Sequence, residues 1–366
     1  MRVGDICQVL DSWAPRIYAE DFDNVGLIVG DPNWISNKIL VTLDTTEEVV
    51  KEALGLDCKL IVSFHPVIFK DLKRLTRAQS SERLIMMALK HDIAIYVIHT
   101  NLDNHPQGTN HQIFQRLGLI DFKVLIPYKG ALKKLITYVP KEHADQLREE
   151  LFKAGAGSIR NYERCSYNIN SLGTFMDNEQ SSTVYGKKGG LHHQEEISIN
   201  VVFPAHLESV LIEALLENHP YEEMPYEIFQ LHNSHHNDIG LGGIGRLSKP
   251  MFEEIFLSFV KERMQTPCIR HSPLLNRPIE RVAVLGGSGS FALSSAKNRG
   301  ADAFVSADFK YHQFFKANNE ILILDIGHYE SEQFTKDLLV RVLREKLPKF
   351  AIIQSNTRTN PVHYFY

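Results

Sequence analysis

Long apolar runs are missing from the 366 residues. The longest, inside KLIVS, IAIYVI and EILILDI, fall far short of the roughly 20 residues that cross a bilayer, so a soluble protein is expected. Cysteine is sparse: Cys7, Cys58, Cys165 and Cys268 are scattered without any CxxC, which argues against a disulfide frame or a zinc knuckle. The opening MRVGDICQVLDSWAPRIYAEDFD has no continuous apolar core and no small-residue cleavage site, so no secretory signal is expected and the cytoplasm is the default compartment. Positive charge is also lacking. A formal net charge of −4 offers no global field for a phosphate backbone, which disfavours bulk nucleic-acid binding and leaves only a local patch open. No solenoid-type repeat, with its period of roughly 20 to 50 residues, is visible.

What is present is an alternation of strand and helix. VGLIVG, KILVTLD, KLIVS and IAIYVIHT read as strands, with TEEVVKEALG and SERLIMMALKH as helices between them. The pattern returns near the C-terminus in RVAVLGG, DAFVSAD, EILILDIG and FAIIQS, separated by helical stretches that include SEQFTKDLLVRVLREKL. Continuous apolar strands between helices predict an α/β fold with mostly parallel sheets covered on both faces. The middle reads differently: KLITYVP, EHADQLREELFKAG, ERCSYNI, EISINVVFP, LESVLIEALLENH and YEIFQL follow a β-α-β-β-α-β order, the split ferredoxin-like unit. An insertion over residues 126–235 would then divide one α/β domain, or two α/β halves, into segments 1–125 and 236–366.

Seventeen histidines are many for this length, and imidazole is the commonest protein ligand for transition metals. Three predicted strands end on candidate ligands: His65, then His99 with Asp103, then His328 with Glu332. Open α/β sheets keep their ligands at the strands' carboxyl ends, and the four-residue spacing of His328 and Glu332 puts both on one helix face. Singly, each position is also explained by a loop or capping residue; their convergence is what points to a metal. Asp103 has two oxygens with which to bridge two cations. The turn LGGSGSF, with Gly287, Ser288 and Gly289, could cradle an anion, although it lacks a P-loop lysine and equally suits a tight strand-to-helix turn. Asp308, Lys310 and His312 end another strand on the same rim as candidate acid, clamp or base. His192, His193, His232, His235 and His236 lie in polar segments expected at the surface, while Glu222 and Glu223 beside a His-Pro turn could face a pocket or form a plain turn.

In this order, DFDNVGLIVG, FHPVIFKDLKRL, HTNLDNHPQGTN, SADFKYH and GHYESEQ resemble the dinuclear-metal-centre family, called NGG1-interacting-factor-like and also GTP cyclohydrolase 1 type 2 homologues. The resemblance spans nearly the whole chain, and the middle segment is similar to the PII- or CutA-like domain inserted in longer bacterial members. It implies two related α/β halves, a ring-shaped homohexamer, and a two-metal site carried here by His65, Asp103, His328 and Glu332. One departure matters: the family pattern usually has two adjacent histidines before the proline, and Phe64 stands where the first would be. Either His99 or water fills the gap, or a single metal is held, or the second site is weak. Phe22 replaces a common tryptophan, and Ser306 with Ala307 replaces a common Thr-Gly pair.

Two functions follow as expectations. One is a metal-dependent hydrolase using zinc, manganese or iron, one or two ions per chain, on a nucleotide or related heterocycle, with Lys310 and the Gly287–Gly289 turn holding its anionic part and His312 or Glu330 moving protons. GTP ring opening is suggested by the family name alone. The other is a non-catalytic regulatory assembly with a PII-like sensor domain, which the loss of one ligand favours slightly.

Overall fold

In β3 (Leu60–Ser63) every residue is buried, and successive side chains enter different cores. Leu60 and Val62 join one apolar cluster while Ile61 joins another. This is the period-two alternation of a strand sandwiched between two layers. β2 (Lys38–Thr42) does the same with Ile39 and Val41 against Leu40. The computed structural model describes residues 1–69, 72–159, 161–176, 190–232 and 238–365.

The chain divides into two units, residues 1–127 with 238–366 and residues 128–237. The first unit holds two sheets. One has the order β1 (Gly26–Val29), β4 (Ala94–Val97), β3, β2, β15 (Ala351–Gln354), parallel throughout except for β1. The helix Val3–Trp13 places Val3, Ile6 and Leu10 against one face, and the helices Glu47–Gly55 and Ser80–Lys90 cover the other.

The second sheet has the order β11 (Arg270–His271), β14 (Leu322–Asp325), β13 (Ala303–Ala307), β12 (Ile279–Ser288), β10 (Gly240–Met251), β5 (Ile120–Pro127). Only β12, β13 and β14 are mutually parallel; β10, β5 and β11 pair antiparallel. The expectation of mostly parallel sheets therefore holds for the first sheet and is corrected for the second, which is mixed. After β14 the chain forms the short helix His328–Glu332, then a separate helix Thr335–Lys346 whose Leu338, Leu339 and Leu343 pack in the first sheet's core, and finally β15. The short helix thus lies where the chain crosses from one sheet to the other.

The second unit runs strand-helix-strand-strand-helix-strand, with strands β6 (Leu132–Pro140), β7 (Ser166–Met176), β8 (Leu191–Pro204) and β9 (Tyr226–Gln230) in the order β7-β8-β6-β9 and every neighbour antiparallel. Leu147, Leu151, Leu211 and Leu215 of its helices meet Leu135, Ile199 and Phe203 of the sheet in one core.

The C-terminal tail is tied down by Glu52, which accepts hydrogen bonds from Asn356 N at 2.8 Å and Thr357 Oγ1 at 2.7 Å as well as from Ser355. Burial works against its charge, but these donors outweigh it and hold the carboxyl below its ordinary value of 4.5. Glu52→Ala should cost about 2 kcal/mol, the scale of hydrogen bonds to a charged group. A depressed pKa stabilises above the unfolded value and is lost as pH falls through the folded one. The gap between wild type and variant in urea denaturation should therefore be full at neutral pH and close in acid; a gap that persists in acid would show that the charge is not what holds the tail.

Candidate metal centre

His65 lies two residues past the end of β3. Its backbone N–H donates to Leu43 O at 2.9 Å and its carbonyl accepts from Ser63 Oγ at 2.9 Å, so the ring leaves the sheet edge on a fixed backbone. His99 follows β4 and precedes the short helix Thr100–Asp103. Asn110 links this edge to the other sheet: its Nδ2 donates to Asp103 O at 3.0 Å and its Oδ1 accepts from Gly286 N at 2.9 Å.

Side-chain ligand atoms of His65, His328 and Glu332 all lie within 4.8 Å of one another. Glu332 Oε2 stands 3.1 Å from His65 Nε2 and 3.2 Å from His328 Nε2. The other ring nitrogens are engaged by carboxylates: His65 Nδ1 with Asp44 at 2.7 Å, His328 Nδ1 with Asp308 at 2.7 Å, and His99 Nδ1 with Asp23 at 2.9 Å. A carboxylate on Nδ1 fixes ring and tautomer and leaves Nε2 as the free ligand, the usual support of a metal-bound histidine.

Despite the short separations, the approach of His65 Nε2 to Glu332 Oε2 is not aligned as a hydrogen bond. Both atoms, and Asp103 Oδ1, are buried without a hydrogen-bond partner. Buried polar atoms are normally satisfied, and three orphans lining one cavity are what a cation would satisfy. The donor set of imidazole and carboxylate fits zinc, manganese or iron.

The electrostatics agree. Burial opposes the charge on His65, but Glu332 and Asp44 overcome it and lift the imidazole to about 10. His328, whose side chain is 41% exposed, is lifted to about 11: partial burial opposes its charge, and Asp308 and Glu332 outweigh it. Glu332 is held well below the carboxylate range: burial works against its charge and the two imidazoles outweigh it. Asp103 is pushed to about 7 by burial, with His99 opposing and Glu332 reinforcing. A surplus of negative charge around these groups favours protons on the imidazoles, and a divalent ion supplies the same positive charge in their place.

His65, His99, Asp103, His328 and Glu332 all line one cavity of about 590 Å³. Phe64 is wholly buried, its ring centroid 5.0 Å from that of His65 and 5.3 Å, edge-on, from that of His99. Gly287 has φ +64° and an added Cβ would collide with Glu332 Oε1 and come within 3.3 Å of His328 Cε1. Its role is to admit those two side chains. In the turn expected to cradle an anion, the Gly287 and Gly289 N–H groups donate to Ser331 Oγ and Ala307 O, as the Gly286 N–H does to Asn110 Oδ1, while Ser288 lines the cavity.

Three candidates for proton transfer or clamping lie elsewhere. Lys310 and His312 are exposed and do not line the cavity, because Phe309 turns into the core after Asp308 and the chain swings outward. Glu330 is buried, accepts from Asn360 Nδ2 at 3.0 Å, and also does not line it. Glu222, Glu223, His193 and His232 are exposed, His192 is half-buried against Phe175, and His235 and His236 lie outside the described residues. The residues that sequence reasoning missed are Asp23 and Asp44, together with the pairing of Asp308 to His328.

The chain as a whole is similar to known proteins. The chain is 36% identical over 361 residues to a protein of Halalkalibacterium halodurans named GTP cyclohydrolase 1 type 2 homolog, covering 97% of each chain. A Bacillus subtilis protein of the same name is 36% identical over 362 residues, covering 97% of this chain and 96% of its own. The crystal structure of a Bacillus cereus protein related to NIF3 superposes with a TM-score of 0.84 at 34% identity, covering 100% of this chain and 99% of that one. The profile of the Duf34/NIF3 (NGG1p interacting factor 3) family matches residues 1–361, and the chain belongs to that family.

Proposed function

We propose that the protein is a metal-dependent hydrolase acting on a nucleotide or related heterocycle. The observation that carries the metal reading is the set of buried atoms that make no hydrogen bond, His65 Nε2 and Glu332 Oε2, which face each other at ion-pair distance, and Asp103 Oδ1, in a cavity whose histidines are each locked by a carboxylate. His65, His328 and Glu332 would hold one ion tightly. Asp103 and His99 would hold a second more weakly, since Phe64 offers no ligand there. When bound, a divalent transition ion polarises a substrate oxygen and lowers the pKa of water to about 7. The chain's own part is to fix the two imidazole tautomers through Asp44 and Asp308 and to keep the ligand atoms at the floor of the cavity.

The remaining features of this reading are a ring-shaped homohexamer of two related α/β halves in the cytoplasm, with the insertion expected over residues 126–235, which the structural unit 128–237 nearly matches, as a ferredoxin-like, PII- or CutA-like domain. The β-α-β-β-α-β order of the second unit supports the last of these. The test is turnover on a panel of nucleotides and heterocycles with zinc, manganese or iron restored. Metal-dependent turnover should be lost in Asp103→Ala while circular dichroism stays unchanged. A metal-loaded wild type that turns over nothing, but changes assembly with small molecules, would replace the hydrolase with the regulatory assembly.

A further inference from the structure

The mouth of the metal cavity differs in chemistry from its floor. Phe22, Phe69 and Phe291 all line it and are 63%, 53% and 61% exposed. They come from three separate stretches: the turn before β1, the loop after β3 and the turn after β12. The rings of Phe22 and Phe69 meet with centroids 6.2 Å apart and planes tilted by 46°. Each ring leaves more than half of its apolar surface in water, where burial would be favourable. Scattered exposed apolar residues need no explanation, but three aromatic rings around one concave site mark a surface that a ligand covers.

Charge narrows the ligand further. Among the described residues lining the cavity there is no lysine or arginine. Glu20, Asp103 and Glu332 line it, and Asp23, Asp44 and Asp308 sit directly behind its histidines. Among the described residues these six carboxylates outnumber the cationic groups around the cavity. A triphosphate is ordinarily held by arginine, lysine or a nest of free amides. Here the amides of Gly286, Gly287 and Gly289 are already spent inside the protein.

We infer that the site takes a flat, uncharged heteroaromatic base, free or as its nucleoside, stacked on Phe22, Phe69 and Phe291 with its polar edge toward the metal ligands, and that it discriminates against nucleoside triphosphates. This rests on the metal-centre reading and narrows its substrate class. The base gains aromatic contact at the mouth, while a triphosphate would bring several negative charges into an acidic cavity.

The test is calorimetric titration of the full-length, zinc-reconstituted protein with guanosine, adenosine, cytidine and a pterin, each compared with GTP. At least one neutral compound should bind about tenfold or more tighter than GTP. Phe22→Ala and Phe69→Ala should each weaken that compound about tenfold, or ~1.4 kcal/mol, through loss of a stacking face. Phe22→Trp, which keeps an aromatic face, should retain affinity. GTP binding as tightly as every neutral compound, no neutral compound binding, or alanine variants with unchanged affinity would each overturn the inference. Both phenylalanines are exposed, so their loss leaves the core intact. Zinc content measured on the same samples separates the two readings: protein that stacks the base but holds no zinc defeats the metal centre alone, and zinc-loaded protein that prefers GTP defeats this inference alone.

Discussion

Glu332→Gln is expected to empty the compact site. The substitution preserves shape and volume but removes the one charge that faces both His65 Nε2 and His328 Nε2, at 3.1 and 3.2 Å. The residue is 3% exposed, so water cannot substitute freely for the lost carboxylate. Metal affinity, read by competition with a chelator and by plasma mass spectrometry after dialysis, should fall by more than ~100-fold, beyond what loss of an outer partner costs. Asp44→Asn and Asp308→Asn provide the graded comparison. Each keeps a neighbour for its histidine's Nδ1 but weakens the hold on tautomer and orientation, and each should cost about 10- to 100-fold. Equal losses in all three variants would mean that overall negative charge attracts the ion. Wild-type affinity in Glu332→Gln would show that Glu332 is no ligand.

The ligands themselves were legible in the sequence because each follows an apolar strand, and parallel strands carry their ends to one edge. The partners obey the same rule but require knowledge of which strands adjoin. Asp44 lies two residues after β2, which pairs with β3 and so stands beside His65; Asp308 follows β13, which pairs with the β14 that leads to His328. Neighbouring strand ends that offer one histidine and one aspartate were therefore a readable signal. Asp23 was less so, lying 76 residues from His99 in a turn that no local pattern ties to it.

The antiparallel part of the second sheet was hidden for a different reason. β10 opens with GLGGIG, a composition that reads as a loop. An added Cβ at Gly245 would strike the ring of Phe114 and the carbonyl of Ile120, so the neighbouring strand and an aromatic ring occupy the space a side chain would need. Tertiary crowding, absent from any local window, makes that stretch a strand. Lys310 and His312 lie apart from the cavity for the opposite reason. Their spacing after β13 looked right, but burial of Phe309 decides which way the chain turns.

Phe64→His should raise the metal content from one tightly held ion per chain to two. Phe64 has no exposed surface and its ring already touches those of His65 and His99, so an imidazole in its place brings nitrogen donors to the cluster without moving the backbone. In metal-free protein this change should be destabilising, since a polar ring buried without a partner costs about 1–3 kcal/mol. Metal reverses the sign. An ion that binds only the folded state stabilises it by about 2.7 kcal/mol when present at a hundredfold excess over its dissociation constant. Thermal unfolding should therefore place the variant below wild type in chelator and bring it level or above with zinc. Two ions already present in wild type would mean that His99 or water completes the second site and that Phe64 limits nothing. A variant that is destabilised equally with and without zinc would mean that Phe64 is core packing, and that the histidine pair of the family pattern was lost here without changing the centre.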